Sequence, residues 1–260
     1  MRSSLSDDSP RSRLDRTSAT DYFARVSEVV AVIGTARDRT SAVELLEEAT
    51  LRMGAEVAVF ASFIRDADSC ASYRLLLACD PQWCIEYEQL AWYADDPWLA
   101  YARHHTEPIR GSEMVIATEA QRSIVDLAKR FGFESTVIVP TPSSSGLSRL
   151  GALWLGSSVP GYFEAEGYIA LKVVARSVAM ELHEWWLARL RDELIERTGI
   201  NEMDRTMLER ERLGQNTKEI ARELDSNVRA INSRYQRLCL KLGVTSRKAA
   251  VQLAAEYGLI

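Results

Sequence analysis

Trp83, Tyr87 and Asp96 are separated by three and by eight residues, and Asp96 is followed by Pro97. The four-residue step puts the indole and the phenol on one face of a helix. Pro97 pushes Asp96 out of helical backbone, so Asp96 begins a new element whose carboxylate can turn back toward that face. The indole N–H only donates, the phenol donates or accepts, and the carboxylate only accepts. Such a set suits a neutral ligand with two carbonyls and one N–H; it also describes a core Trp/Tyr pair beside a helix-capping Asp. A second constellation lies near the C-terminus, on a helix expected over about 228 to 242. Arg229, Asn232 and Gln236 fall at i, i+3 and i+7, flanked by Ser233, Arg237 and Lys241. Asn and Gln can pair with adenine and Arg with guanine in the major groove, while Lys and Arg at the rim neutralise phosphates. The same face would also serve as the solvated side of an ordinary helical bundle.

Composition limits what these constellations can belong to. The 260 residues are 47% apolar and 27% charged, enough for one large domain or two smaller ones, and disorder of the whole chain is excluded. The net charge is −5, but residues 200–260 hold 11 Lys/Arg against 8 Asp/Glu and residues 1–199 hold 21 against 29. A mildly basic C-terminal segment thus follows an acidic body, and basic surface is what phosphate binding needs. Cys70, Cys79, Cys84 and Cys239 lack metal-ligand spacing, and only His104, His105 and His183 supply imidazoles. With no G-x-S-x-G elbow either, an enzyme is not expected, and no cofactor or metal is. No apolar stretch suits a secretory signal or a membrane span, so a cytoplasmic protein with no membrane partner is expected.

The elements that must position these residues follow from periodicity. Residues 1–20 are too poor in apolar side chains to order and read as a flexible tail. From Asp21 to about Arg52 two amphipathic helices are expected. EVAVFASFI and SYRLLLACD read as antiparallel strands about the turn RDADSCA, and STVIVPTP and LGALWLGS as a second pair about Ser143 to Gly146. Helical stretches fall at 81–93 and 117–131, and a long one from about Ala165 to Glu196 stops at Thr198 and Gly199. The class is α+β: a sheet packed by helices over 21–188, a linker at 189–200, and an all-α domain over 201–260. In that last part Asn216 and Glu219 form a capping box, Asp225 to Asn227 a tight turn, and Ile231, Tyr235, Leu238 and Leu242 one apolar seam. Gly243 ends the seam helix, and Thr245 and Ser246 cap another that Gly258 stops. Two short helices about a tight turn, the second polar-faced, form a helix-turn-helix.

The motifs G-x-x-x-K-E-I-A (Gly214 to Ala221), K-L-G-V (Lys241 to Val244) and S-R-K-A-A (Ser246 to Ala250) resemble, ungapped over 214–260, the DNA-binding domain of LuxR-type quorum-sensing regulators. The resemblance implies a four-helix helix-turn-helix with its first helix at about Glu202 to Leu213. It departs from the family at Asp204, where Glu is usual, and at Arg210 and Arg212, where apolar residues are usual. Expected DNA contacts are Thr217, Asn227, Arg229, Asn232, Ser233, Gln236, Arg237 and Lys241. The trio Trp83, Tyr87 and Asp96, with the run Phe131 to Pro140 and Gly146, resembles the autoinducer-binding signature of the same family. That implies an α-β-α sandwich enclosing an N-acyl-homoserine lactone. Trp83 would donate to the lactone carbonyl and Tyr87 to the acyl carbonyl, Asp96 would accept the amide N–H, and Trp98, Phe133 and Trp154 would wall the pocket. Gly111 stands where the family commonly has a second Trp, Thr136 where Gly is usual, and Trp154 where some members have a small hydroxylic residue. Trp92 or Trp98 would then refill the space at Gly111. The implied function is a homodimeric, ligand-responsive transcription regulator on an inverted-repeat operator, with RNA polymerase as a further contact. The alternative is a ligand-independent DNA-binding protein whose N-terminal domain serves dimerisation or partner binding.

Overall fold

The computed structural model describes residues 21–64, 73–89, 94–142, 149–165 and 167–260. The expected tail at 1–20, both hairpin turns, Cys70, Trp92 and the end of the 81–93 helix lie outside the described residues. The chain divides into two compact units, one of 1–143 and 150–185 and the other of 144–149 and 186–260.

The first unit begins with α1 (Tyr22–Ile33), which buries Tyr22, Val26, Val29 and Ile33 along one face. It continues with α2 (Arg39–Met53), where Asp38 and Ser41 form a capping box and Gly54, at φ 90°, ends the helix in left-handed backbone that an L side chain resists. The strands are β1 (Val57–Ile64), β2 (Arg74–Ala78), β3 (Ile109–Arg110), β4 (Ser135–Thr141) and β5 (Arg149–Ser157), in the sheet order β2-β1-β5-β4-β3. The β1/β2, β3/β4 and β4/β5 pairs are antiparallel, with Phe60 opposite Leu76, Ile109 opposite Ile138, and Ile138 opposite Trp154. Between the strands lie α3 (Gln82–Gln89), α4 (Pro97–His104) and α5 (Glu119–Arg130), and after them α6 (Tyr168–Thr198).

Alternation along β1 divides the core. Val59, Ala61 and Phe63 join Trp83, Tyr87, Trp98, Phe133, Ile138, Ala152 and Trp154 in one cluster under α3, α4 and α5. Phe60 points to the other face, where it, Thr141 and His183 of α6 converge on Gly151 so closely that no side chain fits there. The sheet is therefore covered on both faces, in α-β-α layers.

Two elements escape the periodicity reading. β3 is two residues long, and α4 is two turns, both below the length at which a pattern repeats. Residues 189–198, expected as linker, continue α6, because Leu187, Leu190 and Leu194 keep an apolar seam that is buried up to the stop at Gly199.

The second unit, described by itself, contains α7 (Glu202–Arg212), α8 (Thr217–Glu223), α9 (Val228–Leu242) and α10 (Arg247–Glu256). Each begins on a side-chain cap: Asn201, Asn216, Asn227 and Ser246. Ile220, Ile231, Tyr235, Leu238, Leu242 and Ala250 pack with Leu194, Met207 and Leu208 in one core. Asp225 takes φ 46° between α8 and α9, the left-handed conformation that the tight turn requires.

Candidate functional site

α3 presents Trp83 and Tyr87 on one buried face, their rings stacked with centroids 5.1 Å apart. Asp96 caps α4 from extended backbone (φ −62°, ψ 114°) with Pro97 as the first helical residue. Its Oδ1 accepts from the Trp98 and Leu99 N–H groups at 2.7 and 3.2 Å, and its Oδ2 accepts from the Tyr87 hydroxyl at 2.6 Å. Asp96 is 4% exposed. Burial pushes its carboxyl above the usual range, while the Tyr87 hydroxyl and the two backbone N–H groups pull in the other direction. Burial, then the neighbouring Asp96, hold the Tyr87 phenol well above its ordinary value. The phenol is therefore a protonated donor, and its proton is committed to Asp96.

These groups line a cavity of about 30 Å³ together with Ala61, Tyr73, Leu75, Glu88, Leu99, Trp98 and Trp154. Two indole N–H groups in that wall, Trp83 Nε1 and Trp154 Nε1, are buried and have no hydrogen-bond partner. Leaving a buried donor unsatisfied costs about 1–3 kcal/mol, so an acceptor arriving at either indole would be bound strongly. The chemistry on offer is thus two open donors, a carboxylate acceptor, and apolar walls. Phe133 stands behind Trp83 and Trp98, 6.1 Å from each ring, and with Trp98 lines a second cavity of about 280 Å³ that includes Gly111 and Thr136. All six residues expected around the ligand therefore meet in one core. Ala61, Tyr73 and Leu75 were not expected there; the period-two alternation of β1 and β2 was the signal that assigns them to the same face.

Gly111 and Thr136 belong together. A Cβ at position 111 would run into the Thr136 hydroxyl, so the threonine fills from β4 the space that a side chain at 111 would take. Trp98 borders the adjoining cavity without being needed for this, and Trp92 lies outside the described residues.

On α9, Ile231, Tyr235, Leu238 and Leu242 are buried, while Arg229, Asn232, Ser233, Gln236, Arg237 and Lys241 are exposed. Asn227 accepts from the Ala230 N–H as the cap. Lys241 turns back to donate to the Gly199 carbonyl at 2.8 Å, so it is more engaged within the unit than its neighbours. Asp204, 3% exposed, receives Arg234 at 2.7 Å as well as closing the Asn201 capping box, which explains a short acidic side chain there. Arg210, at a position expected to be apolar from the family resemblance, pairs with Glu223 at 2.5 Å. Among the described residues no group of His, Cys, Asp or Glu could hold a metal ion, and no helix is long and apolar enough to cross a membrane.

The first unit is thus an α-β-α sandwich with a small cavity lined by residues that carry unpaired buried donors, and the second is all-α. The family model for the autoinducer binding domain matches residues 38–184, and the chain belongs to that family of LuxR-type regulators, which are signal-binding proteins and not enzymes. No curated protein sequence matches the chain. Among solved structures it is similar to SdiA in complex with octanoyl-rac-glycerol, at 14% identity, TM-score 0.67, covering 92% of this chain and 97% of that one. Escherichia coli SdiA in the space group P6522 gives 15% identity, TM-score 0.67, and coverage of 92% and 99%. The N-acylhomoserine lactone dependent LuxR family transcription factor CepR2 from Burkholderia cenocepacia gives 14% identity, TM-score 0.54, and coverage of 65% and 98%.

Proposed function

We propose that the first unit binds a neutral acylated signal and that the second, as a dimer, binds inverted-repeat operator DNA and thereby regulates transcription. The observation that carries the ligand reading is the pair of buried, unpartnered indole N–H groups of Trp83 and Trp154, two residues that line one cavity with Asp96. A molecule with two acceptors and one N–H answers all three, and an N-acyl-homoserine lactone has that pattern. Trp83 would donate to the ring carbonyl, and Asp96 would accept the amide N–H. Since the Tyr87 proton is held by Asp96, Trp154 is the better donor for the acyl carbonyl, and Tyr87 keeps Asp96 aimed. The complex of SdiA with octanoyl-rac-glycerol adds an acyl glycerol to the candidates. The cavity of about 30 Å³ is smaller than such a molecule, so binding requires the lining side chains to rearrange.

The test is thermal unfolding of the purified chain against acyl-homoserine lactones of varied length and oxidation, with octanoyl glycerol and a ring-less acyl amide as comparators. A ligand at a hundredfold excess over its Kd stabilises the native state by about 2.7 kcal/mol, a shift of several degrees. One lactone raising the midpoint above the ring-less amide supports the reading; no shift with any of them sinks it. The small cavity and the filled space at Gly111 favour one second reading, a ligand-independent regulator whose sandwich serves dimerisation alone. On that reading DNA binding proceeds with no additive.

A further inference from the structure

Arg247 opens α10, yet its guanidinium joins three other helices of the second unit. Nη1 donates to Thr217 Oγ1 on α8 at 3.0 Å, and Nη2 donates to Asn232 Oδ1 on the exposed face of α9 at 2.6 Å. The group lies over the Tyr235 ring, 4.2 Å from its centroid, and 4.0 Å from the Glu211 carboxylate on α7. Tyr235 is itself fixed, buried with its hydroxyl donating to the Met207 carbonyl at 2.7 Å. The guanidinium therefore rests on a rigid platform, and its planar fork sets the direction of both bonds.

A guanidinium has donors and no acceptor. The amide atom of Asn232 that meets it must be the oxygen, which removes the usual uncertainty between the two ends of an asparagine. Pairing with adenine needs that oxygen to accept from the adenine amino group while the nitrogen donates to N7. Here the oxygen is engaged by α10 through a charge-assisted bond, and Nδ2–H2 is the end of this exposed side chain that the bond leaves to other partners.

We propose that Arg247 is a positioning residue for DNA recognition: it presents Asn232 as a donor, so that this position favours guanine, whose N7 and O6 both accept, or thymine O4, over adenine, which then offers the amide N–H2 a single acceptor, N7. The proposal rests on the DNA-binding reading above. It gives Arg247 an effect on sequence preference without itself touching a base, and it leaves the Thr217 hydroxyl hydrogen available to a backbone phosphate.

The experiment selects a randomised pool of duplex DNA with the full chain, in the presence of the lactone panel, for wild type, Asn232→Ala, Arg247→Met and Arg247→Lys. Asn232→Ala identifies the base position that depends on Asn232. At that position wild type is expected to prefer guanine or thymine. Arg247→Met, which keeps the stem and loses the donors, is expected to shift preference toward adenine by about fivefold or more, the low end of what a bidentate pair discriminates. Arg247→Lys, which keeps the charge but not the fork, is expected to shift it in the same direction by less, with the salt dependence of binding unchanged in both. Wild type preferring adenine there overturns the proposal, as does an Arg247→Met protein that weakens every sequence alike. A fall of about one in the salt slope would make Arg247 a phosphate contact instead and overturns it too. If wild type enriches no sequence at all, the DNA reading itself fails and the proposal with it.

Discussion

Asp96 caps α4 through one oxygen and holds the Tyr87 hydroxyl through the other, and substitutions there separate folding from ligand recognition. Asp96→Asn keeps an oxygen for the cap, so urea unfolding is expected to register a loss of no more than about 1 kcal/mol. Asp96→Ala loses the cap and strands the phenol, and about 2 kcal/mol or more is expected to go. Both variants are expected to lose the lactone-induced melting shift; if Asp96→Asn retains it in full, Asp96 does not receive the ligand's N–H. The pH dependence has a definite sign. The folded carboxyl holds its proton to a higher pH than the unfolded one. Wild type therefore loses stability relative to Asp96→Asn as pH rises from below the usual carboxylate range through the raised value. The trio was legible in the sequence because every step in it is local: a four-residue helical spacing, then a proline that forces a cap.

At the scale of elements, the 3-10 turn at Gly111–Glu113 that follows β3 lies against β4 through the Gly111 and Thr136 pair. Gly111→Ala is expected to destabilise the protein by about 1–3 kcal/mol through overpacking. Adding Thr136→Gly should restore part of that loss, with a coupling of about 0.5–3 kcal/mol in a double-mutant cycle of denaturation midpoints. Simple additivity would mean the two sites are independent. In sequence the two residues read as separate departures from a family pattern, because nothing local says that positions 25 apart touch. The limits of α9, by contrast, were expected at about 228 to 242 from the turn at Asp225 to Asn227 and from Gly243, and they fall there, since caps are written in one or two side chains. α4 and β3 were not, being shorter than any period, and the fork of Arg247 joins helices whose packing a linear pattern does not contain.

For the whole molecule the question is how an acidic chain approaches DNA. Residues 1–199 carry a net charge of −8 and residues 200–260 one of +3, so the proposed DNA binding would fall to exposed cations of the second unit, Arg229 and Arg237 among them. Arg237→Ala is expected to lower affinity for all duplexes alike and to reduce the slope of log K against log salt by about 1. A change in sequence preference with the slope intact would make Arg237 a base reader instead. The charge asymmetry was visible in composition, whereas the inward turn of Lys241 to Gly199 was not, because it depends on where the end of α6 meets the end of α9.

The unpartnered indoles of Trp83 and Trp154 also make the protein its own optical reporter. An excited indole relaxes to lower energy when polar groups around it can respond, so two of the six tryptophans, buried with no hydrogen-bond partner, are expected to emit further to the blue than exposed indoles. A ligand carbonyl arriving at either N–H would redden or quench that light in proportion to occupancy, and signal binding becomes a titration that needs no label.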